Sequence, residues 1–143
     1  MPEAHADAFS EFGDLLPEID AVNGPYWDGL AQGEVRLQHC AGCGAKQYPA
    51  ESFCYDCGGT DLDWRAVDGG GEIYSFIIVH QSYHAAFKPF LPYTVAIIQM
   101  DDGPRMLAAM LHLDAPVNIG DRVQPRIQAI SNERAVLLYE PAG

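Results

Sequence analysis

The stretch HCAGCGAKQYPAESFCYDCGG, residues 39–59, holds all four cysteines of a 143-residue chain. They fall into two C-x-x-C units, Cys40/Cys43 and Cys54/Cys57, separated by ten residues, and each unit is followed by a glycine, Gly44 or Gly58. Two residues between ligands let one tight knuckle aim both sulfurs at a single point. The glycine relieves crowding where backbone N–H groups turn toward the thiolates. Four thiolates complete a tetrahedral shell with no position left for substrate, so the pattern predicts a structural metal site. Zinc is the expected ion and iron the alternative, because the spacing suits both. About twenty residues cannot bury a core unaided, so the metal is expected to supply much of this lobe's folding free energy. His39 reads as a surface strand residue in preference to a fifth ligand.

Upstream, residues 1–23 are acidic, with Glu3, Asp7, Glu11, Asp14, Glu18 and Asp20 and no Lys or Arg. They read as a mobile or loosely docked arm, a solvated tail in preference, with one short helical turn in reach through Phe9, Phe12, Leu15 and Leu16. GPYWDGLAQGE, from Gly24, predicts a short helix: Pro25 suits a first turn, Tyr26, Trp27 and Leu30 fall on one side, and Gly33 ends it. A helix that short must dock, on its own domain or on another chain. EVRLQHC then reads as a strand running into the first knuckle.

Downstream, DLDWRAV, EIYSFIIVH, YTVAIIQM, RMLAAMLHL, RVQPRIQAI and AVLLYE read as strands joined by short turns, with a glycine bend at Gly69, Gly70 and Gly71. Those glycines suit either a close backbone approach to a ligand or a bulge. Val123, Ile127 and Ala129 alternate with polar neighbours, and Pro125, lacking an N–H, predicts an edge or a bulge. Five or six short antiparallel strands without a long helix predict a mainly β chain: a small antiparallel barrel of OB type, with a β-sandwich as the alternative. The expected organisation is an acidic arm over 1–23, helix plus ribbon over 24–60, and barrel over 61–143.

Charge narrows the function. Twenty acidic residues against eight Lys plus Arg give a net charge of −12, which repels phosphate polymers and anionic lipid. A nucleic-acid-binding ribbon/OB module is therefore disfavoured, since a single-strand groove wants a cationic track with stacking aromatics. No secretory signal or spanning apolar run is present, so a cytoplasmic location is expected, where paired cysteines are metal ligands. His80, His84, His112, Asp101 and Asp102 offer acid–base groups, but no spacing sets a nucleophile beside a base, and the thiols are occupied. No catalytic residue is assigned. The loop HQSYHAAFKPFLPY is more suggestive: Tyr83, His84, Phe87, Phe90, Leu91 and Tyr93 with a single cation, Lys88, form either a satellite core or an apolar patch for a partner or an acyl-pantetheine chain.

Taken in order, YWDGLAQG, CAGCG, YPAESFCYDCGG, LDWRAVDGGGEIYSF, LPYTVAIIQMDDGPRMLA and NIGDRVQP resemble the family of unknown-function domain thirty-five over about residues 24–141. The family's pattern is an N-terminal helix, a rubredoxin-like zinc ribbon and a C-terminal OB-fold; the first 23 residues have no clear place in it. The resemblance implies a non-catalytic accessory subunit of a thiolase-like acyl-CoA enzyme (acetyltransferase, aldolase or synthase) in lipid metabolism. Such a subunit would support the partner's fold or placement and help hold or pass the CoA thioester. A hydratase or thioesterase component is the alternative. Structural zinc is the implied cofactor and CoA or acyl-CoA the implied ligand. By position in the pattern, the contact surfaces are Tyr26, Trp27 and Leu30 on the helix and Tyr83, His84, Phe87, Lys88, Phe90 and Tyr93 in the loop.

Overall fold

The strand entering the first knuckle, β1 (Val35–Cys40), buries Val35, Leu37, Gln38 and Cys40 and leaves Arg36 and His39 half-buried. It pairs antiparallel with the two-residue β2 (Lys46–Gln47) and along its whole length with β3 (Leu62–Val67), giving a three-stranded sheet of order β2-β1-β3. The computed structural model describes residues 9–142. In it β3, placed by local pattern at the start of the barrel, belongs to the ribbon sheet, with Val35 opposite Val67 and Cys40 opposite Leu62.

The second sheet contains β4 (Gly71–Val79), β5 (Tyr93–Met100), β6 (Arg105–Met110), β7 (Arg122–Ala129) and β8 (Ala135–Pro141), in the order β6-β5-β4-β7-β8 with antiparallel neighbours throughout. It curls until the margins carrying Ala109 and Leu111 on one side and Val136 and Leu138 on the other share one apolar cluster. This is the five-stranded Greek-key barrel of an OB-fold. Ile73, Ala96, Ile98, Met100, Met106, Ala108, Met110 and Tyr139 fill its interior. Gly71 is required by close approach: a Cβ there would drive into the carbonyl of Gln99 on β5 and stand 2.9 Å from Ile98 Cγ2. The glycine bend thus serves the chain's own strand pairing. Pro125 pairs with Tyr139 of β8 but sits where β7 has parted from β4, whose pairs with it are Gly71–Val123 and Glu72–Arg122, so its missing N–H takes no bond from the β4 ladder.

Helix α1 (Gly24–Ala31) joins the two sheets. Tyr26 and Leu30 lie in the same core as Val35 and Leu37 of the ribbon and Val123 and Tyr139 of the barrel. The Tyr26 ring stands 5.5 Å from that of Tyr48, and the Tyr139 hydroxyl donates to the Gly69 carbonyl between β3 and β4. Burial raises the pKa of both Tyr26 and Tyr139.

The described part of the acidic arm departs from the solvated-tail expectation. A 3₁₀ turn, Ser10–Leu15, places Phe9 at 0% and Phe12 at 7% exposure against a second 3₁₀ turn, Ala85–Phe90, in the loop after β4. The Phe9 and Phe90 rings lie tilted against each other at 5.0 Å and Phe12 meets Phe87 edge-on at 4.8 Å, while Arg134 Nη2 donates to the Pro17 carbonyl at 3.0 Å. Burying the two phenylalanines, about 1.5–3 kcal/mol each, favours docking of this segment on the barrel. Residues 1–8 lie outside the described residues.

Candidate metal centre and contact surfaces

The two C-x-x-C units fold into near-identical knuckles. In each, the first cysteine's N–H donates to the carbonyl five residues on (Cys40 to Ala45, Cys54 to Gly59, both 2.8 Å), and the glycine four residues on donates back (Gly44 to Cys40 at 2.8 Å, Gly58 to Cys54 at 2.9 Å). Closing that ring needs a left-handed residue, and Gly44 and Gly58 supply it at φ +82° and +75°.

Facing each other, the knuckles bring Cys40 Sγ to 3.6 Å from Cys57 Sγ and Cys43 Sγ to 3.6 Å from Cys54 Sγ, and all four sulfurs lie within 4.8 Å of one another. A tetrahedron with metal–sulfur bonds of about 2.3 Å has edges of about 3.8 Å, so the cage fits zinc, and these separations are far too long for disulfides. Cys40 and Cys54 are buried, Cys43 and Cys57 exposed. The backbone N–H groups of Cys57 and Asp56 hold the Cys54 thiol down to about 7, and the Gly59 N–H points at Cys57 Sγ at 3.4 Å. Donors aimed at sulfur favour the thiolate, the form that ligates metal, whereas the crowding of neighbouring thiols pushes Cys43 and Cys57 up.

His39 is outside the cage: its Nδ1 lies 3.2 Å from Asp63 Oδ1 across the β1–β3 pair. Asp63 is held below the usual carboxylate range, first by the hydrogen bond from Arg65 and then by that from His39.

A second brace was missed by the sequence reading. Gln38 and Gln47, 4% and 6% exposed, bond to each other (Gln47 Nε2 to Gln38 Oε1, 2.9 Å) and reach the second knuckle. Gln38 Nε2 donates to the Glu51 carbonyl and Gln47 Nε2 to the Phe53 carbonyl, while the Tyr55 N–H donates to Gln47 Oε1. The available signal was a glutamine at an inward strand position, Gln47, beside a cysteine-rich loop.

The predicted contact residues are divided by the fold. Tyr26 and Leu30 are corrected from contact surface to core, because the helix docks on its own domain. Trp27 is half-buried under the Arg134 guanidinium at 4.9 Å. In the loop, Phe90 and Tyr93 are buried, Phe87 stacks on Tyr93 at 5.1 Å, and these form the satellite core. Tyr83, at 75%, and Lys88 are exposed, and exposed His84 caps the 3₁₀ turn, its Nδ1 accepting from the Ala86 N–H at 3.0 Å. Of the acid–base candidates, Asp101 is paired with Arg122 at 2.9 Å, and His112 meets the Phe90 ring edge-on at 5.1 Å. Among the described residues, no helix is long and apolar enough to cross a membrane.

Comparison with known proteins agrees with this architecture. The model of the ChsH2 rubredoxin-like zinc ribbon domain matches residues 27–63, and that of the ChsH2 C-terminal OB-fold domain matches residues 64–128. A probable enoyl-CoA hydratase alpha subunit of Thermomonospora curvata is 30% identical over 95 residues, which cover 66% of this chain but 29% of that protein. A DUF35 domain-containing scaffold protein of Methanothermobacter thermautotrophicus is 27% identical over 96 residues, covering 66% of this chain and 71% of the relative. Among solved structures, a chain of the Ltp2-ChsH2(DUF35) aldolase superposes with a TM-score of 0.77 at 28% identity, covering 88% of this chain and 98% of that one. The chain thus spans about three tenths of the hydratase subunit and nearly all of the matched aldolase chain. A cage of four thiolates in a ribbon docked on an OB barrel, with both domain models matched in order, places this chain in the DUF35 family.

Proposed function

We propose that this chain is a non-catalytic accessory subunit of a thiolase-like acyl-CoA enzyme (an acetyltransferase, aldolase or synthase). It stabilises that complex in the cytoplasm and helps bind or channel the CoA thioester. The observation that carries this reading is the near-complete superposition on a chain of the Ltp2-ChsH2(DUF35) aldolase. The chemistry of the chain agrees: its four thiols are committed to one cage, and Asp101 and His84 are engaged in an ion pair and a cap. The resident metal, when bound, supplies a folding constraint, since four sulfurs close its coordination shell. Of the expected contact residues, Tyr83, His84, Lys88, Phe87 and Trp27 keep surface from which a partner or an acyl-CoA can be touched. A hydratase component is the second reading, favoured by the 30% identity to the hydratase alpha subunit.

The test is reconstitution. Affinity-tagged chain from its native host should retain a stoichiometric subunit that mass spectrometry identifies as an acyl-CoA enzyme. That subunit's turnover should fall when this chain is withheld and recover when it is restored. Turnover of an acyl-CoA by this chain alone, or a partner indifferent to its presence, would overturn the proposal.

A further inference from the structure

OB barrels take their ligands on the outer face of the second and third strands and in the flanking loops. Here those strands are β5 and β6, flanked by the loop that carries the second 3₁₀ turn and by the β7–β8 turn. The outward face of an antiparallel sheet is ordinarily polar. In this barrel, register sets Ile77 beside Val95 and Ala109, and Ser75 beside Ile97 and Leu107. Ile77 and Leu107 are 63% and 64% exposed. Single exposed apolar residues are common, but these are neighbours on one surface. Part of that surface, around Val95 and Ala109, is already roofed by the chain itself through Phe9, Phe12 and Phe90. Beyond Ala109 it runs into a groove of about 360 Å³ between the arm and the barrel, walled by Phe12, Leu15, Leu16, Phe87 and Val136.

Three occupants are weighed by what borders this face. A single nucleic-acid strand needs a row of cations, yet on the outward positions of β4–β6 the cation is Arg105 alone, and its guanidinium lies 3.8 Å over the Tyr74 ring. Residues 1–8 carry Met1 as their one large apolar side chain, too little to fill an apolar groove. A second copy brings its own net charge of −12 against the same charge. The arm's side of the groove is acidic: Glu11 and Asp14 are exposed there and no Lys or Arg precedes Arg36, against one exposed cation, Lys88, next to Phe87 on the opposite wall.

Resting on the accessory-subunit reading above, we propose that the outer face of β4–β6, from Ile77 and Leu107 into the groove behind Phe12 and Leu15, docks the partner enzyme subunit. The occupant is an apolar protein surface ringed by Lys and Arg.

The test titrates three forms of the full-length chain, each checked for equimolar metal and unchanged melting temperature, against the acyl-CoA enzyme subunit that copurifies with the wild type. Ile77→Asp with Leu107→Asp should weaken binding at least about tenfold. Glu11→Lys with Asp14→Lys should weaken it less and flatten its dependence on salt. If the wild type retains an acyl-CoA enzyme subunit and the apolar double variant binds it within twofold, the docking face is wrong while the accessory function stands. If the wild type retains no such subunit, the functional reading fails and this inference with it. A wild-type dimer in sedimentation that the apolar double variant dissociates would make the occupant a second copy and overturn the proposal. Unchanged affinity and salt dependence in the charge variant would overturn the basic ring.

Discussion

Around the knuckles the ribbon buries little beyond two cysteines and two glutamines, whereas the barrel encloses mostly aliphatic and methionine side chains together with Tyr139. Both are β structure in one chain, yet one is held by directional bonds and the other by apolar area. The contrast shows why the ribbon requires its particular residues. Thiolate ligation and the Gln38–Gln47 brace depend on sulfur and amide geometry, while a barrel interior accepts many combinations of the right volume. Tyr26 and Leu30 couple the regimes by inserting one helix into the junction.

The sharpest way to break this comparison is Cys54→Ser. It removes a buried ligand, and structural zinc in small ribbons is worth about 10–16 kcal/mol of apparent binding free energy. Metal content should collapse, and hydrogen exchange should accelerate through residues 40–59 while amides of β4–β8 keep their protection. Uniform loss of protection would mean that ribbon and barrel form one cooperative unit. Next in size is Ile98→Ala, which empties a fully buried position in the barrel. A loss of about 2–5 kcal/mol in urea unfolding is expected, with zinc stoichiometry unchanged in the folded fraction. Gln47→Ala removes one of the two donors to Gln38 Oε1 and leaves the Phe53 carbonyl and the Tyr55 N–H without their present partner. It should cost about 1–3 kcal/mol and loosen the second knuckle before the barrel, as read by exchange at Phe53–Tyr55.

How much of this was legible in the sequence follows the same division. Four thiols in two C-x-x-C units announce their cage because the chemistry is local, and the five barrel strands announce themselves by β-branched runs between turns. The assignment of β3 to the ribbon was hidden, since its partner β1 lies across the whole metal loop and pairing at that distance leaves no local mark. Composition misled in the arm: acidic residues outnumber Phe9 and Phe12, yet burying two rings decides where the segment lies. The outward apolar face was written in the run from Ile73 to Val79, which is apolar on both sides of the pleat where an antiparallel sheet needs one.

The smallest expected effect concerns pH. Burial raises Tyr26 and Tyr139 above the ordinary tyrosine value of about 10. A raised pKa in the folded state means stability that is complete below that value and declines as pH climbs toward the folded-state values. Phenol absorbance should therefore show these two of the seven tyrosines ionising last, together with unfolding. Ionisation of all seven near pH 10 in a still-folded chain would contradict the packing at the helix–ribbon–barrel junction.

Metal analysis tests the central claim most directly. Native mass spectrometry of the purified chain should show one tightly held zinc, or one iron in its place, lost on denaturation, with four cysteines that resist a thiol reagent until a chelator strips the ion. A metal-free chain with a protected ribbon, or four thiols that react at once in the native state, would contradict the account.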